Sequence, residues 1–279
     1  MSFVGPSDRP SDAASRYVTL EPGRRQLSLV AEGPEGPLPF VLVHGIPGSA
    51  RDFRWLTPHL APQVATFRLD LPGFGDSPLA AGTGLGVADR ADVVLDAMGA
   101  LGVRRALLVG HSFGGVVAAE AAVRAPERFA GLALIASPGP RSHRGHPRRT
   151  ARLATRVSRL PFLAALLRAP LRRGFRAAGF PAHFSDEQLW LSMALVDAFD
   201  LAAHAQNLRA LLLPTAVYGC RDDAMVEESI LTAVGDMVPA GPRVIFDTGG
   251  HNPQKTQAAA LAASLLVFRR GLLSEVDAP

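Results

Sequence analysis

The chain has 279 residues, of which 48% are hydrophobic, with 29 Lys and Arg against 25 Asp and Glu and a single cysteine, Cys220. This is enough for one large core, and it excludes a disulfide-built scaffold because one thiol closes no intrachain bridge. Lys255 is the only lysine, so the basic balance reads as Arg-rich coding bias in an Ala-, Pro- and Gly-rich chain, and no nucleic-acid partner is expected.

Residues 1–16 are polar, carry Pro and Ser, and read as a flexible lead. They lack a basic start followed by an apolar stretch, and no run of 18 apolar residues follows anywhere. Neither a signal peptide nor a membrane span is therefore expected, and the location reads as cytoplasmic. β-type runs lie at 17–20, 26–31, 40–44, 64–71, 106–110, 132–136, 215–219 and 244–247, with helical patterns at 51–60, 87–101, 114–124 and 256–270. Strand–helix alternation of this kind predicts an α/β fold: a mostly parallel eight-stranded sheet with helices on both faces. Residues 139–210 interrupt it with a long, mainly helical segment, read as an inserted cap on a core of 17–138 and 211–279.

The run 106–109 leads into Gly110-His111-Ser112-Phe113-Gly114 and then an Ala-rich helix, which puts a serine where a strand turns into a helix. Such a turn is tight enough to demand very small residues two before and two after the serine. A serine hydroxyl is a weak nucleophile until a base takes its proton, and that base needs an acid to orient it. His251 follows the strand at 244–247 behind Gly249-Gly250, while Asp222 and Asp223 follow the strand at 215–219. All three positions stand just past the C-terminal ends of strands, where open parallel sheets place their sites, and either aspartate is within reach of the imidazole.

Serine, acid and histidine in this order resemble the α/β-hydrolase superfamily, in particular serine esterases with a helical cap. His44-Gly45-Ile46-Pro47-Gly48-Ser49 is similar to the family's HGxPG loop, and Asp70-Leu71-Pro72-Gly73-Phe74-Gly75-Asp76-Ser77 to its D-x-P-G-x-G-x-S segment. The resemblance implies an oxyanion hole made by the backbone N–H groups of Ile46 and Phe113, with His44 and Gly45 lining the site. The family spacing of Gly219, two residues and then Asp makes Asp222 the expected acid and Asp223 a solvated neighbour. No carboxylate stands at 136–140, where some relatives carry theirs. Asp76 and Ser77 read as turn residues, and Cys220 as a buried inert thiol. His59, His111, His143, His146, His183 and His204 read as structural or exposed; their spacing suits no metal, and no cofactor is expected.

Between Arg141 and Arg176 stand eleven arginines and no acidic residue, interleaved with leucines. The favoured reading is a cap whose apolar side covers the site while its arginines face water; contact with an anionic membrane surface is weighed and not favoured. Phe162, Phe175, Phe180, Phe184, Trp190, Leu191, Met193 and Phe199 would line the cap's inner face, with Phe162, Trp190 and Met193 taken as substrate contacts. A serine at 112, where similar dehalogenases and epoxide hydrolases carry aspartate, disfavours both activities. The resemblance then implies a carboxylic-ester hydrolase working through an acyl-enzyme on small to medium apolar esters. Carbon–carbon bond hydrolases, lactonases, aminopeptidases and cofactor-free haloperoxidases or perhydrolases of the same outline are the alternatives. A non-catalytic ligand-binding protein of this fold is the reading from another class.

Overall fold

Aliphatic runs become eight strands: β1 (Arg16–Leu20), β2 (Arg25–Glu32), β3 (Phe40–Val43), β4 (Thr66–Leu69), β5 (Ala106–His111), β6 (Phe129–Ile135), β7 (Thr215–Cys220) and β8 (Arg243–Phe246). They appear in a computed structural model that describes residues 9–21, 25–80, 82–158, 160–177 and 184–276. One sheet holds them all in the order β1-β2-β4-β3-β5-β6-β7-β8. β2 pairs antiparallel with β1 and β4, and every other neighbouring pair is parallel.

Parallel pairs require crossover helices. The helices among the described residues are α1 (Thr57–Leu60), α2 (Val87–Ala100), α3 (Phe113–Arg124), α4 (Arg148–Val157), α5 (Pro161–Ala177), α6 (Asp186–Ala198), α7 (Leu201–Ala210), α8 (Glu228–Met237), α9 (Pro253–Thr256) and α10 (Ala258–Val276). Side chains alternate across the sheet: Ala106 and Leu108 of β5 join a core with α2, α3, α7 and α8, while Leu107 and Val109 join one with α1 and α10. Both sheet faces are thus covered, and the C-terminal ends of β3, β5, β7 and β8 remain to carry a site.

Three features depart from the sequence reading. First, α8 is a helix that the pattern did not reveal. Second, the lead expected over 1–16 is joined to the body at two points. Arg16 opens β1, and Ser11 is tied down: its N–H donates to the Arg54 carbonyl at 2.6 Å, and its hydroxyl donates to Glu32 Oε1 at 2.5 Å and accepts from Arg68 Nη2 at 3.1 Å. The cause is the buried Arg68, whose guanidinium pairs with Glu32 at 2.7 Å and needs further acceptors. Third, α7, expected within the inserted segment 139–210, is bonded to α3 and to the chain just past the end of β6. Leu208 is buried in the α3 core, Asn207 donates to Glu120 of α3 at 2.5 Å, and His204 donates to the Pro138 carbonyl at 3.0 Å. The other helices inserted between β6 and β7 are α4, α5 and α6, with Ala151 and Ala154 of α4 packed on Met193 of α6.

A cluster of histidines lies between the inserted helices and the core. His143 and His146 stack at 5.8 Å in the β6–α4 connection, and His146 and His204 both pack against Phe199, at 5.2 and 5.8 Å. Burial first, then the neighbouring His146, pushes His143 down to about 4; burial pushes His204 down to about 4. Both folded values lie below the usual 6.5, so between these values the unfolded chain binds protons that the folded chain refuses. Stability is therefore lost as pH falls through this window, by up to about 1.4 kcal/mol per pH unit for each histidine. Urea midpoints measured across the window should fall with pH, and His204→Asn should flatten the slope by one proton. An unchanged slope would contradict this placement of the titration.

Candidate active site

β5 ends on His111, and the chain then turns so sharply into α3 that Ser112 sits at φ 51°, ψ −124°. This is a strained conformation for a residue with a side chain, held because the surroundings leave no alternative. A Cβ on Gly110 would strike the Gly114 carbonyl, and one on Gly114 would strike the Val43 carbonyl. These two contacts are the physical reason for the glycine pair at the elbow.

The strain projects the hydroxyl toward the loop that follows β8. Ser112 Oγ donates to His251 Nε2 at 2.9 Å, and His251 Nδ1 donates to Asp223 Oδ2 at 2.8 Å. The expected acid, Asp222, is displaced by its neighbour. After Cys220 the chain makes a turn, with Asp223 N–H donating to the Cys220 carbonyl at 3.3 Å, and this swings Asp223 inward while Asp222 stays exposed. The second oxygen of Asp223 accepts the N–H groups of Met225 and Val226 at 2.7 and 3.0 Å. Burial raises the Asp223 carboxyl, but His251 and these two amides outweigh it and hold it below the usual carboxylate range. Asp222 instead accepts the Gly249 and Gly250 N–H groups at 3.1 and 2.8 Å, bracing the loop that presents His251. Both glycines have positive φ, 140° and 65°, which lets the loop turn back.

His111 has a part in the site that its sequence context did not reveal. Its Nε2–H donates to the His251 backbone carbonyl at 2.8 Å and its ring lies 5.1 Å from that imidazole. Burial, then the neighbouring His251, pushes it down to about 3, so it stays neutral and keeps this donor at any ordinary pH. The signal available was its place beside Ser112.

The loop after β3 lies directly against the serine, since a Cβ on Gly45 would come within 2.9 Å of Ser112 Cβ. Ile46 and Phe113 therefore flank Ser112, Phe113 as the first residue of α3, where backbone N–H groups have no helical acceptor. His44 does not line the site as expected: it is fully buried, its Nδ1–H donates to the Gly45 carbonyl at 2.6 Å, and its Nε2 accepts from Leu71 N–H at 2.9 Å. It fixes the loop, and Gly45 gives the serine room. Asp70 clasps the same region: its carboxylate accepts from the Ala50 and Asp76 amides and from the Ser28 hydroxyl, while Ser77 Oγ accepts from Ser28 N–H. The segment 70–77 is thus a structural turn, as the sequence implied. Cys220 is buried, and burial raises its thiol to about 12, which leaves it unreactive.

An apolar pocket of about 520 Å³ opens between this loop and the helices α4, α5 and α6, bounded by Ile46, Leu153, Leu171, Phe175, Met193 and Met225 among others. Of the three cap residues expected to touch substrate, Met193 lines it, and Trp190 packs half-buried behind Met193. Phe162 points away from it and is 76% exposed. Phe184 sits edge-on to Phe175, Phe199 packs against Phe113, and Leu191 is core. Phe180 and His183 lie outside the described residues. Among the described residues no group of His, Cys, Asp and Glu side chains could hold a metal ion.

The fold agrees with the comparisons with known proteins. Residues 39–258 match the α/β hydrolase fold family, and the chain belongs to it. The dihydrolipoyllysine-residue acetyltransferase component of the acetoin cleaving system of Pseudomonas putida is 40% identical over 119 residues, 43% of this chain. The match covers only 32% of that relative's length. Pimeloyl-(acyl-carrier protein) methyl ester esterase of Klebsiella pneumoniae is 28% identical over 262 residues, covering 85% of this chain and 96% of that one. The crystal structure of carboxylesterase CesB from Bacillus subtilis shares the fold at a TM-score of 0.70 and 20% identity, over 94% of this chain and 93% of that one.

Proposed function

We propose that the protein is a serine hydrolase that cleaves carboxylic esters with small to medium apolar acyl groups. The observation that carries this is the linked pair of hydrogen bonds from Ser112 through His251 to Asp223 on a strained elbow, with Ile46 of the adjoining loop on the wall of an apolar pocket. His251 takes the serine proton as Oγ attacks the ester carbonyl, and Asp223 holds the imidazole in the right tautomer and stabilises the imidazolium. The oxygen that becomes negative faces the amides of Ile46 and Phe113 and the N-terminal end of α3, where each amide is worth about 10²–10³ in rate. His251 then protonates the departing alkoxide, leaving the acyl group on Ser112. A water, deprotonated by His251, attacks the acyl-enzyme and releases the acid.

The pocket's lining favours an ester over a charged substrate, because its one charged side chain, Arg144, is paired with Glu227 at 3.4 Å. Burying a methylene contributes about 0.8 kcal/mol, so kcat/KM for p-nitrophenyl esters should rise by up to about fourfold per carbon until the pocket is full. A series from acetate to laurate, run beside lactones and a dienoate, checks this. Activity that falls steadily from acetate onward, or turnover of the dienoate alone, would contradict the ester reading.

A further inference from the structure

The sequence reading put the cap's arginines in water and its apolar side chains inward. The structure instead leaves a second set of apolar side chains outside. Phe162 is 76% exposed, Leu166 60%, Leu153 59% and Leu160 54%. On α5, residues 162, 166, 169, 173 and 176 recur at intervals of three or four and share one face, so Arg173 and Arg176 stand on the same stripe as Phe162 and Leu166. The opposite face, with Leu167, Leu171 and Phe175, covers the pocket. On α4, Leu153 lies between Arg149 and Arg156 in the same manner. Arg148, Arg149, Arg156, Arg173 and Arg176 form no ion pair among the described residues, unlike Arg152, Arg168 and Arg172.

We propose that this outer face of α4 and α5 docks on an anionic lipid bilayer, and that the pocket beneath receives the acyl chain of a lipid ester presented there. The second half rests on the ester-hydrolase reading; the docking does not. Protruding Phe and Leu flanked by unpaired Arg suit a surface that is anionic at its headgroups and apolar just below, whereas an acidic protein would answer the charge and leave the leucines in water. Leu153 supplies continuity, because it stands on the exposed face and also lines the pocket. No helix among the described residues is long and apolar enough to cross a membrane, so the contact is a surface one.

Sedimentation of the full chain with phosphatidylglycerol–phosphatidylcholine vesicles tests it, against pure phosphatidylcholine, at low and at physiological salt. Binding should be at least about tenfold tighter to the anionic vesicles and weaken with salt. Arg149→Gln/Arg156→Gln/Arg173→Gln should lose about tenfold or more of that affinity while hydrolysing soluble p-nitrophenyl butyrate at the wild-type rate. Phe162→Ser/Leu166→Ser should weaken binding even at low salt, the signature of insertion. Ser112→Ala protein should sediment like wild type, so loss of the hydrolase reading leaves the docking result standing. No sedimentation at low salt, or equal binding to neutral vesicles, would overturn the proposal. So would polyglutamate binding as tight as vesicle binding and indifferent to Phe162→Ser/Leu166→Ser, which would assign the face to an acidic protein.

Discussion

Ser112→Ala should lower kcat for a p-nitrophenyl ester by about 10⁶-fold, the scale seen when a nucleophile of this type is removed from an otherwise intact site. The loss is large because serine, histidine and aspartate act as one unit; with no Oγ to acylate, the 2.9 Å bond to His251 has nothing to activate. Stability should hardly change. Ser112 is partly exposed, its backbone is fixed by the Ser112 N–H bond to the Ile135 carbonyl at 2.8 Å, and alanine needs the same φ of 51°. A variant that unfolded at wild-type urea yet kept a tenth of its activity would mean that the chemistry runs elsewhere.

The two adjacent aspartates should behave oppositely. Asp223→Asn should cost about 10⁴ in kcat, because an amide facing Nδ1 lets the imidazole take the wrong tautomer while leaving its position unchanged. Asp222→Asn should stay within about tenfold of wild type, since its side-chain oxygen can still accept a loop amide from Gly249 or Gly250. The pH dependence follows from the same contacts. Because the Asp223 carboxyl is held below its usual range, the stability it contributes is present above the unfolded carboxylate value and is lost only as pH falls through its lower folded value. Activity lost on acidification near neutral pH therefore reports protons other than that of Asp223. Steady-state kinetics of the two variants side by side would decide the acid, and equal losses would contradict the assignment.

Much of this was legible in the chain because backbone geometry leaves a mark on composition. The continuous apolar runs of β3, β5, β6 and β7, buried at every position, mark the centre of a parallel sheet, and an elbow needing glycine at 110 and 114 announces itself. What stayed hidden depended on side-chain direction. All six residues of β7 are buried, so alternation could not tell which aspartate would turn inward. His44 resembles a site residue by position, yet both its ring nitrogens are spent on the backbone. α8 carries Ile230, Thr232, Val234 and Gly235, poor helix formers that tertiary packing overrides. α5 is apolar on two sides, so its period gives no indication that Leu167 and Leu171 would face the pocket while Phe162 and Leu166 faced outward.

The most direct test of the central claim is covalent capture. Incubation with a fluorophosphonate followed by peptide mass spectrometry should place one adduct per chain on Ser112, formed far more slowly in Asp223→Asn and not at all in Ser112→Ala. A folded wild-type protein that remains unlabelled, or an adduct on any other residue, would contradict the account.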